Sequence, residues 1–296
     1  MPEVILSQIQ CEVNQHHCTR VGIIEALEKK FKRRMVAFFT SFYYPASVFD
    51  QDAEMLESLL QKTDLKNGLT LLLSSAGGSG LAAERIVNVC RTYSKGDFEV
   101  LVPGQAKSAA TIICFGANRV LMSKTSELGP IDPQVTLKES GEYKLFSVYD
   151  ILDSYQSLFE RATQTKGNLE PFIAQLEHYD EREISKFRRQ VELSEDIAIK
   201  LLKLSMMKGL SDSKIKEKIK IFLFPTETKV HGRPIFIDEA KKVGLRIKEI
   251  SNESPTWQGV QEYAARLNYL TSSQYLKILE SCEHHFCSPI PKEMRK

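Results

Sequence analysis

The sequence predicts an α/β protein built around a mainly parallel sheet. Three observations lead there. From Met35 to Ser123, strand-like and helix-like segments alternate in the order β-α-β-α-β-α-β. The strands are continuously apolar rather than alternating, as strands covered on both faces are. The joins are short, and short joins in an alternating chain leave parallel strands with helices packed over them.

Each element has its own signal. The helical piece GIIEALEKKFKRR lies within a mixed segment, residues 1–34. MVAFFTSFYY (Met35 to Tyr44) is aromatic and β-branched enough for a buried strand, and Pro45 ends it. Asp50 to Lys62 carries acidic residues early and leucines at helical spacing. NGLTLLLSS is a turn followed by a buried strand, which AGGSG interrupts. Leu81 to Tyr93 is an amphipathic helix and Phe98 to Gly104 the next strand. SAATIICFGA is a short apolar helix, Arg119 to Ser123 a further strand, and TSELGPIDPQ a loop held by Gly129, Pro130 and Pro133. Residues 147–222 are helical almost throughout. VHGRPIFIDEAKKVGLRI reads as turn, short strand and helix, stopped by Gly244. Residues 255–280 form a last helical stretch, and the remainder is a tail.

Composition narrows the function. The net charge of +2 gives no footprint for nucleic acid or an anionic membrane surface. The basic runs Lys29 to Arg34 and Lys214 to Lys220 read as solvated helix faces. The N-terminus lacks a secretory pattern, and no apolar run reaches the roughly 18–20 residues a membrane span needs. The expectation is a soluble cytoplasmic protein. Its six cysteines do not make a disulfide scaffold. The two ends, with Cys11, His16, His17 and Cys18, and with Cys282, His284, His285 and Cys287, bear ligand-type side chains. A structural zinc site is the alternative to incidental Cys and His there. The reading adopted has no metal and no cofactor.

Two βα junctions are chemically unusual. In SSAGGSG, Gly77 and Gly78 follow a buried strand and leave amides uncovered near a helix N-terminus, a place suited to a developing negative charge. The pattern is neither GxxxxGK[ST] nor GxGxxG, so a nucleotide loop is poorly supported. In GQAKSAAT, Ser108 falls where a strand ends and a helix begins, among the small residues Ala106, Ala109 and Ala110. A helix cap is one reading of Ser108. A nucleophile beside the amide of Ala109 is the other, and acyl transfer needs both a nucleophile and oxyanion donors.

The series SSAGGSGLAAERIV, VLVPGQAKSAATIICFGANRVLMS, SELGPIDPQV and HGRPIFIDEAKKVGL resembles the serine dehydrogenase proteinase family. That family is grouped with the Clp proteases and signal peptide peptidase A in the Clp/crotonase fold. The resemblance covers roughly residues 35–250 and implies a spiral of ββα units, with 147–222 as a helical block and 251–296 as a helical C-terminal extension and tail. It further implies assembly into homo-oligomers, a polypeptide substrate and a serine-peptidase site. On the matching positions Ser108 is the nucleophile, and the Gly77–Gly78 turn with Ala109 forms the oxyanion hole. Ser79 and Asp132 are assigned to substrate binding. The chain has Ala76 before its twin glycines where relatives have Pro. It has Ala109 and Ala110 where relatives have glycines, and Gly232 where an Asp usually follows the histidine.

The base is left open. The block matching the Clp histidine region, SELGPIDPQ, holds no histidine, which excludes a simple copy of the Clp triad. His231 is the imidazole candidate. Lys166 stands at a distance downstream that suits a peptidase lysine, with Lys186 behind it; Lys107 is expected to point away from the serine. Asp132 is a candidate to orient a base, to bind a partner backbone or to stiffen a turn. The function expected is a serine-type peptidase working through a Ser108 acyl-enzyme. The alternatives are a crotonase-type acyl-CoA enzyme and a catalytically degenerate assembly or adaptor protein.

Overall fold

The computed structural model describes residue 9, residues 16–139 and residues 141–294. Helix α1 (Cys18–Phe31) leads into β1 (Arg34–Thr40), α2 (Asp50–Leu60), β2 (Leu69–Ser74), α3 (Gly80–Tyr93), β3 (Phe98–Leu101), β4 (Gln105–Ala106), α4 (Ala109–Phe115), β5 (Val120–Met122) and β6 (Glu127–Leu128). A hairpin, β7 (Gln134–Glu139) and β8 (Glu142–Ser147), precedes the helices α5 (Val148–Gln164), α6 (Glu170–Leu176), α7 (Glu181–Leu204), α8 (Asp212–Lys218), α9 (Lys220–Leu223) and α10 (Pro225–Thr228). The chain ends with β9 (Ile235–Phe236), α11 (Ile237–Lys242), β10 (Ile247–Glu249), α12 (Pro255–Ser273), β11 (Tyr275–Glu280) and β12 (His285–Pro289).

The central sheet has seven strands in the order β10-β5-β3-β2-β1-β11-β12. The five from β10 to β1 are parallel, and β11 and β12 add antiparallel strands at the β1 edge. The unbroken apolar strands have the expected cause: successive residues face different cores. Val36 and Phe38 point into the larger one, with Leu69, Leu71 and Leu73 and helices α2, α3, α4 and α7. Met35, Ala37 and Phe39 point the other way, onto Ile24 and Leu27 of α1 and Trp257, Val260 and Leu267 of α12. The result is a mixed α/β fold with a mainly parallel central sheet and a helical C-terminal part. A small second sheet, β4-β6-β9, stands where β3 gives way to α4.

Two local expectations are corrected. Residues 275–280, expected to be helical, form β11, because pairing of Ala37 to Thr40 with Glu280 to Lys277 supplies the backbone partners. The tail expected after them contains β12, which pairs with β11. The second correction concerns the stretch after Pro133, where the hairpin β7–β8 forms, its strands alternating apolar and polar residues on either side of Gly141.

The C-terminal strands are locked in by a buried network. The Arg20 guanidinium donates to both carboxylate oxygens of Glu280 at 2.8 and 2.5 Å, and the Tyr263 hydroxyl donates to the same carboxylate at 2.9 Å. Burial, with Glu280 alongside, pushes the Tyr263 phenol well above its ordinary pKa, so it stays a donor. Glu280→Ala would leave the Arg20 charge buried without this partner. It is expected to cost about 3–5 kcal/mol of stability, measured by urea unfolding. A loss under about 1 kcal/mol would mean that the network contributes specificity rather than stability.

Among the described residues, no helix is long and apolar enough to cross a membrane.

Candidate active site

The site lies beyond the carboxyl ends of β2 and β3, where open parallel sheets place ligands. Two turns meet there. Ser75 at the end of β2 pairs with Ala106 of β4, through Ser75 N–H to Gln105 O at 3.2 Å and Lys107 N–H to Ser75 O at 2.9 Å. This stitching brings the glycine turn and the serine turn face to face. A Cβ added to Gly77 would lie 2.7 Å from Ser108 Cβ and 3.0 Å from Ala109 N. One added to Gly78 would lie 2.3 Å from Val48 N. Both glycines also have positive φ, +108° and +150°. Space and backbone conformation together exclude side chains at these two positions.

Ser108 has φ 50° and ψ −119°, in a region that costs a non-glycine residue about 1–3 kcal/mol. It holds the N-cap position of α4, yet its hydroxyl makes no cap hydrogen bond. The cap reading therefore fails on geometry. Ser108 is half-buried and lines a cavity of about 570 Å³ together with Gly77, Gly78, Asp132 and His231. Among the described residues, the amides of Gly78 and Ala109 have no protein acceptor, whereas the Gly77 amide donates to Ser75 Oγ at 3.1 Å. Of the three expected oxyanion donors, Gly77 is thus corrected: its N–H is already used, and its role is to let the two turns touch.

Asp132 and His231, 99 residues apart in the chain, meet in the same cavity. His231 Nδ1 is 2.7 Å from Asp132 Oδ1. With an ionised carboxylate as acceptor, Nδ1 carries the hydrogen and Nε2 keeps its lone pair. The Asp132 side chain is 0% exposed and that of His231 is 26% exposed. The carboxylate therefore stands behind the histidine, with the ring between it and the open cavity. The loop carrying Asp132 is braced by Ile131 N–H to Phe222 O at 2.7 Å and by the Ser194 hydroxyl to Ile131 O at 2.9 Å. Thr111 of α4 links it to the serine turn, donating to Gly129 O at 2.9 Å and accepting from Gly129 N–H at 3.1 Å. Ser108 and His231 make no hydrogen bond with each other, and catalytic pairs in ligand-free sites are often open in this way.

The remaining candidates separate clearly. Ser79 lines the cavity, but its Oγ accepts from Ala82 N–H at 3.3 Å and caps α3. Lys166 is exposed between α5 and α6 and does not line the cavity; Lys186 is exposed on α7. Neither lysine stands beside Ser108 in the cavity, whereas His231 does. Lys107 turns away to pair with Glu127 at 2.6 Å. Gln134 and Ser147, which touch Asp132, were not anticipated; they belong to the unanticipated hairpin. At the termini, Cys11 lies outside the described residues. His17 and His285 stack at 4.7 Å, and burial, followed by the neighbouring His17, lowers the His285 pKa. Among the described residues there is no group of three or more Cys, His, Asp or Glu placed to hold a metal ion.

A parallel-sheet scaffold that presents a strained serine, free backbone amides and a carboxylate-held histidine in one cavity has the makings of a serine hydrolase. The family model for ClpP-like SDH-type serine proteinases matches residues 5–154, about half of the chain, and the chain belongs to that family. The match includes Gly78, Ser108 and Asp132, while His231 lies beyond it. Two relatives come from Methanocaldococcus jannaschii. Uncharacterized protein MJ1495 is 26% identical over 67% of this chain and 58% of its own length. Uncharacterized protein MJ0137 is 25% identical over 67% of this chain and 59% of its own length. The matched region thus spans less than two thirds of either relative.

Proposed function

We propose that the chain is a serine peptidase in which Ser108, His231 and Asp132 act as nucleophile, general base and orienting acid. The observation that carries this reading is the pairing of His231 with buried Asp132 in the cavity that Ser108 lines. As the histidine closes on the serine, Nε2 removes the Oγ proton and Oγ bonds to the scissile carbonyl carbon. The carbonyl oxygen becomes an oxyanion facing the Gly78 and Ala109 amides, donors that need no reorganisation. Collapse breaks the C–N bond, and His231 returns its proton to the leaving amine. Water, deprotonated by the same histidine, then hydrolyses the acyl-enzyme. The substrate is a polypeptide and the working form a homo-oligomer.

The acid and base are exchanged relative to the resemblance. The block corresponding to the Clp histidine region supplies Asp132, and the histidine arrives from residue 231. The Gly at 232 is then no defect, because the acid comes from another segment.

The test is labelling with a fluorophosphonate probe, followed by peptide mass mapping. The expected result is a single adduct on Ser108, formed at the same rate in Lys166→Ala as in the wild type. No adduct on the folded protein, or an adduct elsewhere, would overturn the reading.

A further inference from the structure

Asp132 is gripped by more than the histidine. A carboxylate with no solvent exposure needs hydrogen-bond donors for its oxygens. Oδ1 accepts from His231. Oδ2 accepts from the Gln134 side-chain amide at 2.7 Å and from the Ser147 hydroxyl at 3.2 Å. These two residues face each other as the closing pair of the β7–β8 hairpin. The Val148 amide, immediately after Ser147, donates to Pro133 O at 3.0 Å and fixes the base of the hairpin against the Asp132 loop. The hairpin therefore straddles the carboxylate.

Ser147 adds an independent observation. It occupies the N-cap position of α5, where a serine oxygen ordinarily accepts from an amide in the first turn. It makes no such bond. Its hydroxyl is turned to Asp132 instead. Leu145 of the same hairpin is exposed and lines the cavity, so a chain bound there would lie against the element whose base holds the acid.

We propose that Gln134 and Ser147 are positioning residues: by holding Oδ2 of Asp132 they aim Oδ1 at His231 and keep the histidine in its Nδ1–H form, with Nε2 free to accept a proton. The consequence for catalysis rests on the peptidase reading above; the effect on the histidine does not. The two donors fix the plane of the carboxylate. Without them the carboxylate turns, and the neutral imidazole relaxes toward the Nε2–H form that it favours in water. That form has no lone pair to offer the serine.

The experiment reads the ring nitrogens of His231 by 15N NMR in a Ser108→Ala background. The parent should show mainly the Nδ1–H form. Adding Ser147→Ala and Gln134→Met should shift the population toward Nε2–H, and Ser147→Thr, which keeps a hydroxyl, should retain the parent pattern. With Ser108 present, the double variant should label with fluorophosphonate roughly ten- to a hundredfold more slowly. Should the double variant not fold, each single variant removes one donor and carries the same NMR readout. A folded variant lacking one or both donors whose His231 stays fully Nδ1–H overturns the proposal. Absence of labelling in the wild type would instead remove the peptidase reading and leave the tautomer measurement to decide this one.

Discussion

Ser108→Ala is expected to reduce peptide hydrolysis by about six orders of magnitude and to abolish fluorophosphonate labelling while leaving the fold intact. The size follows from chemistry. Without Oγ there is no acyl-enzyme, and the residual rate is what the Gly78 and Ala109 amides can lend to direct attack by water. Stability should move by less than about 1 kcal/mol, because alanine inherits the same strained φ and Oγ makes no cap hydrogen bond that would be lost. Matched thermal melts and a continuous peptide-cleavage assay would check both halves. Retained hydrolysis in the folded variant would contradict the nucleophile assignment. Retained turnover of an acyl-CoA thioester would point to enolate chemistry of the crotonase type, which uses paired amides and needs no serine.

Asp132→Asn should cost about 10⁴-fold in kcat/KM with little change in substrate binding. The side chain keeps its size, but its charge is gone, and its carboxamide can present an NH₂ group toward Nδ1. The ring then favours the tautomer with hydrogen on Nε2, which cannot take a proton from Ser108. The loss should be seen in kcat/KM at every pH tested, not as a shifted profile, since the fault is the tautomer and not only the charge. A full-length product assay beside an inhibitor-binding measurement separates the two effects. An Asn variant with near wild-type kcat/KM would mean that Asp132 only stiffens its turn.

Much of the scaffold was legible along the chain because its causes are local. Strands covered on both faces are apolar at most positions, as Met35 to Phe39 of β1 and Leu71 to Leu73 of β2 are; the buried Glu99 of β3 is an exception, bonded to Thr70 and Arg119. The glycine turn is legible for the same kind of reason: φ values of +108° and +150° admit little else. The serine turn was legible as a place rather than as a role, since a cap and a nucleophile occupy the same position at the start of α4. The cap reading turns on whether Oγ bonds the helix, and that it does not is visible only in three dimensions. Beyond Ser273 the local pattern misled. Residues 275–280 have no strong period, and pairing with β1, more than two hundred residues earlier, makes them a strand. The hairpin is different: Val135 and Leu137, then Tyr143 and Leu145, alternate with polar residues on either side of Gly141, so its signal was present in the chain and went unread, while the exposure of β8 kept it apart from the apolar core strands.

The sequence by itself determined the α/β architecture, the strand-turn-helix junctions and the presence of a twin-glycine turn at one junction and a serine at the next, because each depends on residues within a few positions of one another. Only the tertiary structure decided that the two turns face each other and which of the candidate side chains share the serine's cavity. His231 and Asp132 lie in two loops that carry no mutual signal in the chain, and only the folded sheet, with helices α7 and α9 bracing one of those loops, brings Nδ1 to within 2.7 Å of the carboxylate.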